Sequence, residues 1–596
     1  MTDMPNAGPL HRPLIKLGGT PISTELSLAI LDCRVELALN RPGQATLRFL
    51  DEEFKLVDDT KFAIGTQIEV GFGAVDGDVE PVFKGEIISV GVESGAHDEP
   101  VMTLTAFDGS YKLARNSRAK VWANQTYSDV LRAMAGTAGL SFDSPALSQT
   151  YVHLLQTMDD AAMLDHIMAQ TGLAWYVKAG KLTVVKPALG TEVTTLMMRA
   201  DLRKFRAVAS ATDAGQEITV KGWDSKTKAA VVGTSTTTDS LTTAPLGTSA
   251  RSKAKQNYAS KRVALGTRAL SAAEAKLIAD SYAVRSAFDE LTIRGEADGN
   301  PKVLVGTTVK VAGVGTNLSG KYFITAVDHI YTGRDFRTRF TSGAFRPSHL
   351  VDLLGGGTGG AAGSWHLRGP AIGIVSDVGK DTNDGKVKVK LPSQDDTLVT
   401  DWARLAAPGA GNTRGLYLMP NIDDEVLVVF EDGDTRRPVV IGSLWNGKDK
   451  VPDALPVKNG QPQEWLLKSR LGNTIRVRDG DAENEQNVEI ALKDQNIKLY
   501  IGMDKIELIG KQGKTMEFKI GDASITFNAN GDIDVKANKI NMTATADLAV
   551  KGMNVKVNAD AQITAKGAAG VEIGGPKVKI AGDGMTEISG GIVKIN

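Results

Sequence analysis

The sequence predicts a mainly β protein of several domains that ends in a stiff shaft made by more than one chain. Three observations carry this. Short apolar beats recur through the last seventy residues, five short strand patterns crowd between residues 371 and 442, and the N-terminal half alternates strand patterns with a few helical ones. The beats are Ile525/Phe527, Ile533/Val535, Ile540/Met542, Leu548/Val550, Val555/Val557, Ile563/Ala565, Val571/Ile573 and Val578/Ile580, spaced by 8, 7, 8, 7, 8, 8 and 7 residues. Within a beat apolar and polar residues alternate, which is the strand period. Between beats stand turn formers, as in Asn528-Ala529-Asn530-Gly531-Asp532. One strand per fixed repeat marks a β-solenoid. Each strand offers only about two inward side chains, too few for one chain to enclose a core. Three identical chains facing their beats onto a shared axis remove that difficulty.

Composition narrows the rest. A chain of 596 residues is too long for one core. A net charge of −1 without a long basic run leaves no electrostatic footprint for nucleic acid. No apolar run reaches the roughly 20 residues of a membrane span, and Met1-Thr2-Asp3-Met4-Pro5-Asn6 lacks the basic and apolar regions of a signal peptide. The single cysteine, Cys33, fits synthesis in a reducing compartment. It sits in an alternating run and reads as a small strand residue.

Strand patterns such as Ala45-Thr46-Leu47-Arg48-Phe49-Leu50 and Gln67-Ile68-Glu69-Val70-Gly71-Phe72 suggest a barrel or curled antiparallel sheet. A helix is predicted from Thr126, with Asp129 as capping partner, and a second over residues 159–170, stopped by Gly172. The pattern repeats after residue 215, with a helix opened by the capping box Ser271-Ala272-Ala273-Glu274. The polar tract 233–252 reads as an exposed loop. The glycine-rich stretch 351–367 reads as a linker. After it, strands are expected at 371–375, 386–391, 416–419, 425–430 and 438–442, suiting a small closed barrel of the OB type.

The run from Gly385 to Asn446 carries a family resemblance. It contains Gly385-Lys386-Val387-Lys388-Val389, Trp402-Ala403-Arg404, Gly415, Pro420, Glu425-Val426-Leu427-Val428, Gly433, Pro438, Gly442 and Trp445-Asn446. In these residues the chain resembles the OB-fold segment of VgrG spike proteins and of contractile-phage central spikes. Phe83-Lys84-Gly85, Phe107-Asp108-Gly109, Asn300-Pro301, Gly306, Gly320-Lys321-Tyr322 and His329 are similar to motifs of the hub shared by those proteins. The resemblance implies two β-barrel-like hub domains with helical insertions (residues 1–200 and 201–350), the linker (351–367) and a five-stranded OB-fold barrel (368–447). A connector that starts the needle (448–520) and an intertwined trimeric β-helix spike (521–596) complete the chain.

By the same resemblance the protein is a homotrimer at the centre of a contractile injection system, whether extracellular phage-tail-like particle, type VI secretion system or phage. Its hub would meet inner-tube and baseplate proteins, its needle would cross a target membrane on firing, and tube-loaded or tip-loaded effectors would be its cargo. The absence of an inserted lysozyme or appended effector domain leans towards the phage-tail-like particle. Some such spikes end in a His-x-His metal point, but all seven histidines here precede the barrel. No metal, cofactor or catalytic residue is expected, and a separate PAAR-type cone is expected on the blunt end at Ile592, Val593, Ile595 and Asn596. Two other classes stay open: a spike-borne hydrolase acting on the cell envelope, and a secreted β-solenoid adhesin.

Several patterns imitate chemistry. Gly510-Lys511-Gln512-Gly513-Lys514-Thr515 ends like a phosphate loop, yet Leu508 stands where the first glycine belongs and no helix follows. Asp51, Glu52 and Glu53 read as solvated charges rather than an acid/base pair. His166 reads as a residue of the core edge, His153 lacks a recruiting partner, and Lys386, Lys388 and Lys390 read as a solvated strand face.

Overall fold

The computed structural model describes residues 12–73, 81–115, 118–211, 217–224, 227–235, 241–258, 261–264, 269, 271–333, 335–343, 369–379, 385–395, 397–452 and 457–595. The linker 351–367 therefore lies outside the described residues. The chain divides into two units, 1–450 and 451–596.

In the first unit an eleven-stranded sheet runs through both halves expected to be separate hub barrels. Its order is Leu202–Ala209, Leu291–Asp298, Phe336–Ser342, Ala326–Tyr331, Ile30–Ala38, Gln44–Leu50, Val101–Phe107, Phe83–Glu93, Gln67–Gly73, Arg12–Leu17 and Thr20–Pro21. The seam is the antiparallel pairing of Ile30–Ala38 with Ala326–Tyr331, which sets Val35 opposite His329. Alternation drives the burial: in Gln44–Leu50 the residues Ala45, Leu47 and Phe49 are sealed while their neighbours face outward. Cys33 is buried on the same principle, and burial pushes its thiol up.

The helices form where their caps predict. Tyr127–Thr137 begins at Thr126, whose hydroxyl accepts from Asp129 N while Asp129 reaches back to the Thr126 N–H. Asp160–Thr171 is capped by Asp159 and ends at Gly172, in the left-handed conformation at φ 70°. Together they bury Val130, Leu131, Met134, Met163, Leu164 and Ile167. The long helix Ala272–Glu290 starts at Ser271 and lies on the strands Glu217–Asp224 and Ala229–Ser235. Contact there is so close that a Cβ on Gly233 would stand 2.2 Å from the Ala275 carbonyl carbon.

Three local expectations are corrected. The tract 233–252 is not all loop, because Pro245–Tyr258 is a helix. Pro245 fits its first turn, Ala254 is buried, and Arg251 clasps Glu290 through Nε and Nη2, both at 2.6 Å. Asp51 is fully buried rather than solvated: it accepts from Leu56 N at 2.6 Å and Val57 N at 3.2 Å and so ties a turn, while Glu52 and Glu53 stay exposed. The small barrel is closed and five-stranded, but its third member is Ala403–Leu405 rather than residues 416–419. Ala403 is sealed in the core, whereas Leu416, Tyr417 and Leu418 are exposed beyond a tight hairpin. Their unbroken apolar run has no inward/outward alternation to seat in a barrel wall.

After a short hairpin (Val457–Lys458, Gln461–Pro462) the second unit forms a five-stranded antiparallel meander (Glu464–Lys468, Thr474–Asp479, Gln486–Ala491, Ile497–Gly502, Ile506–Gly510) where the sequence suggested only strand fragments. Cross-strand pairs such as Lys498 with Glu489 at 3.2 Å supply order that a polar composition conceals. The phosphate-loop imitation is a turn between two strands, with Gly513 at φ 85°. A three-stranded sheet (Met516–Ile520, Ala523–Phe527, Ile533–Lys536) follows.

Candidate functional site

The C-terminal repeat leaves its expected core residues exposed in the single chain. Exposure ranges from 38% at Phe527 to 74% at Ile573, and every one of Ile525, Ile533, Val535, Ile540, Met542, Leu548, Val550, Val555, Val557, Ile563, Val571, Val578 and Ile580 lies between. The first two beats face one another across a hairpin, Ile525 opposite Val535 and Phe527 opposite Ile533. The turn between them is the predicted one, closed by Asn528 N to Asp532 O at 2.8 Å with Gly531 at φ 91°. From residue 537 to 595 the single chain forms no strand among the described residues, although the alternation continues. Ile592 and Ile595 are 83% and 85% exposed, Val593 is about half exposed, and Asn596 lies outside the described residues. An exposed apolar surface of this extent marks an interaction site.

The barrel motif residues do not converge on one site, since each serves the barrel's own geometry. Gly415 (φ 144°) lies in the narrow hairpin Ala410–Gly411/Arg414–Gly415, where a Cβ would meet Gly409 O at 2.2 Å. Gly433 (φ 70°) closes the turn after Glu425–Phe430, Pro438 opens the next strand, and Gly442 lies within it. Pro420 is buried. Arg404 and Arg437 both engage Glu431. Trp402 takes the Lys388 ammonium 4.9 Å from its ring centre, so that lysine is bound to a π-face rather than freely solvated.

Sequence reasoning missed how the barrel is fixed to the rest of its unit. Arg436, in the barrel turn, pairs with Asp434 at 2.8 Å and with Glu274 of the long helix at 2.7 Å. It also lies 5.8 Å from the centre of the Tyr151 ring. Burial works against the charged guanidinium, but the two carboxylates outweigh it and hold the group well above its ordinary value. Leu155 joins the barrel's own apolar cluster. An arginine in a turn gives no sequence signal of burial, because its partner is 162 positions away.

Two hub motif residues are buried titratable groups. Asp108 accepts from Gly43 N at 2.6 Å and from Ser110 N at 2.9 Å, and burial raises it to about 6 despite those bonds. Gly85 is required beside it, since a Cβ would meet Phe107 O at 2.3 Å. His329, wholly buried, lies 3.1 Å from Thr338 Oγ1 and 5.6 Å from the Phe72 ring, and burial lowers it to about 4. Unfolded, a histidine takes its proton near pH 6.5. Between pH 6.5 and 4 the unfolded chain thus binds more protons at His329, and its contribution to stability is lost as pH falls through that window. Asp108 acts in the opposite sense, losing stability as pH rises from about 4 to 6. The stability difference between the native chain and His329→Leu isolates the histidine, and should fall by about 3 kcal/mol from pH 6.5 to pH 4. Denaturant titrations of the hub transition at the two pH values measure it, and an unchanged difference refutes the assignment.

Among the described residues no group of three or more His, Cys, Asp or Glu side chains is placed to hold a metal ion, and no helix is long and apolar enough to cross a membrane.

The model of the Alg8 N-terminal domain matches residues 9–332, and that of the type VI secretion system/phage-baseplate injector OB domain matches residues 371–445. The type VI secretion system spike protein VgrG1c of Pseudomonas aeruginosa is 28% identical over 166 residues, which cover 24% of this chain and 22% of that protein. The chain thus spans about a fifth of the length of that curated relative. Spike protein VgrG3 of Vibrio cholerae is 33% identical over 78 residues, 12% of this chain and 8% of that protein. Among solved structures, a chain of the half-lidded Francisella PdpA–VgrG complex aligns with 84% of this chain and 87% of its own length, at 9% identity and a TM-score of 0.49.

Proposed function

We propose, from the premise that the chain belongs to the family of the Alg8 N-terminal domain and is of the VgrG spike type, that it is the central spike and hub of a contractile injection system. Its role is structural. The hub joins the inner tube and baseplate, the OB barrel passes load to the shaft, and the shaft is driven through a target membrane when the machine contracts. The observation that carries the reading is the C-terminal repeat itself: fifteen regularly spaced apolar side chains, all exposed in one chain, that follow in the sequence a barrel matching the injector OB domain. Three chains wound together bury those beats and pair the backbone groups that a lone chain leaves open. Outward Lys, Asp, Asn and Thr keep the shaft soluble.

Ile592, Val593 and Ile595, exposed in the single chain, form the seat for a PAAR-type cone. Effectors travel on that tip or inside the tube, and the assembled particle carries the protein out of the cytoplasm in which it is made. The absolute mass of the full-length protein by light scattering tests the core of the proposal. About three times 63.2 kDa is expected, persisting in mild detergent, and a clean 63.2 kDa species overturns it.

A further inference from the structure

The outer face of the hub sheet carries two adjacent cross-strand rows of very different charge. In the first, Lys204, Glu296, Arg339 and Asp328 stand opposite one another in register on four neighbouring strands, with alternating sign. Glu296 binds Lys204 at 3.2 Å and Arg339 at 2.9 Å, and Arg34 binds Asp328 at 3.1 Å. Burial pushes the Glu296 carboxyl up, and the bonds and charges of Arg339 and Lys204 bring it below the usual range.

In the next row Arg206 stands directly opposite Arg294, and Arg294 opposite Thr341. Both arginines are exposed and neither guanidinium has an ion pair or side-chain hydrogen bond among the described residues. Like charges about 5 Å apart across a strand pair destabilise the sheet, and here they sit in a shallow concavity. Strand Leu202–Ala209 pairs with only one neighbour, so this row ends at the edge of the sheet.

The same sheet holds the opposite charge at a distant place. The turn joining Phe83–Glu93 to Val101–Phe107 exposes Glu93, Asp98 and Glu99, none of which forms an ion pair among the described residues. Its only other titratable group is His97. The turn lies several strands away from the arginines along the sheet order, on strands of the first half. One chain therefore carries an unpaired cationic row near one sheet edge and an unpaired anionic turn in the other half, which is the makeup of a heterologous contact between copies of the chain.

The geometry points to Arg206 and Arg294 as the receptor for the 93–99 turn of the neighbouring protomer. This contact rests on the three-chain reading above and adds what fixes the hub ring. Two free cations are too few for a polyanion, whose binding scales with the number of phosphates neutralised. They match a short carboxylate turn held by charge-assisted bonds.

The test places cysteines at Arg294 and Asp98 in the full-length protein and treats it with a short bismaleimide. Buried Cys33 stays silent. Covalent dimers and trimers on a denaturing gel, absent from either single variant, are expected. A species of verified three-chain mass that yields only monomer bands, or an internal link within one chain, overturns the contact and leaves the spike intact. A one-chain mass overturns both. Should the cysteine variants fail to fold, charge exchange decides. Arg206→Glu with Arg294→Glu is expected to lower the hub melting transition, and adding Glu93→Lys, Asp98→Lys and Glu99→Lys is expected to restore most of the loss. No restoration overturns the contact.

Discussion

Replacing Ile540 and Val555 together by Asp is expected to convert a three-chain particle of about three times 63.2 kDa into single chains. Both side chains are about half exposed in one chain, so the lone chain loses little by the change. In the trimer each position recurs three times around the axis. Burying one such side chain contributes about 1.5–3 kcal/mol, so the six lost contacts remove on the order of 10 kcal/mol. Six carboxylates would also have to be desolvated at the axis without partners. Light scattering together with a thermal scan gives the answer. A particle of unchanged mass and melting temperature would mean that the beats do not face a shared core. As a control, Lys551→Asp changes the charge between beats and should leave the mass unaltered.

The second large effect lies at the junction of the barrel with the long helix. Arg436→Met is expected to cost about 3–5 kcal/mol of unfolding free energy. It leaves the Glu274 and Asp434 side chains, 5% and 4% exposed, as buried carboxylates with their shared cation gone. Removing all three charges is a different matter. In Arg436→Met with Asp434→Leu and Glu274→Leu no buried charge is left unpaired, and much of the loss should be recovered. Denaturant unfolding of the two variants reads this directly. A cost under about 1 kcal/mol for the single change would show that the triad is solvated in solution.

The caps and turns were legible because their causes are local. Thr126 and Asp129, Asp159, Gly172 and Ser271 each act on backbone groups within four residues, so spacing alone predicts them. The C-terminal repeat was legible for a related reason: its period of seven to eight residues is a property of the chain, whatever surrounds it. Residues 416–419 misled because an apolar tetrapeptide does not say whether a barrel wall has room for it. Ala403–Leu405 takes the place by pairing antiparallel with Lys386–Lys390 and parallel with Pro438–Ser443.

The sequence by itself determined the β class, the helix caps at Thr126, Asp159, Gly172 and Ser271, the small barrel's place along the chain and the beat of the C-terminal repeat. All of these are governed by alternation, turn chemistry or capping over a few residues. Only the tertiary structure decided that both hub halves share one sheet, that Asp51 ties a buried turn, that Arg436 reaches Glu274, and that Arg206 and Arg294 stand opposite one another without a counter-charge. Those features depend on pairings between residues far apart in the chain, and strand register and buried ion pairs are set by which surfaces meet in space, a quantity that local spacing does not encode.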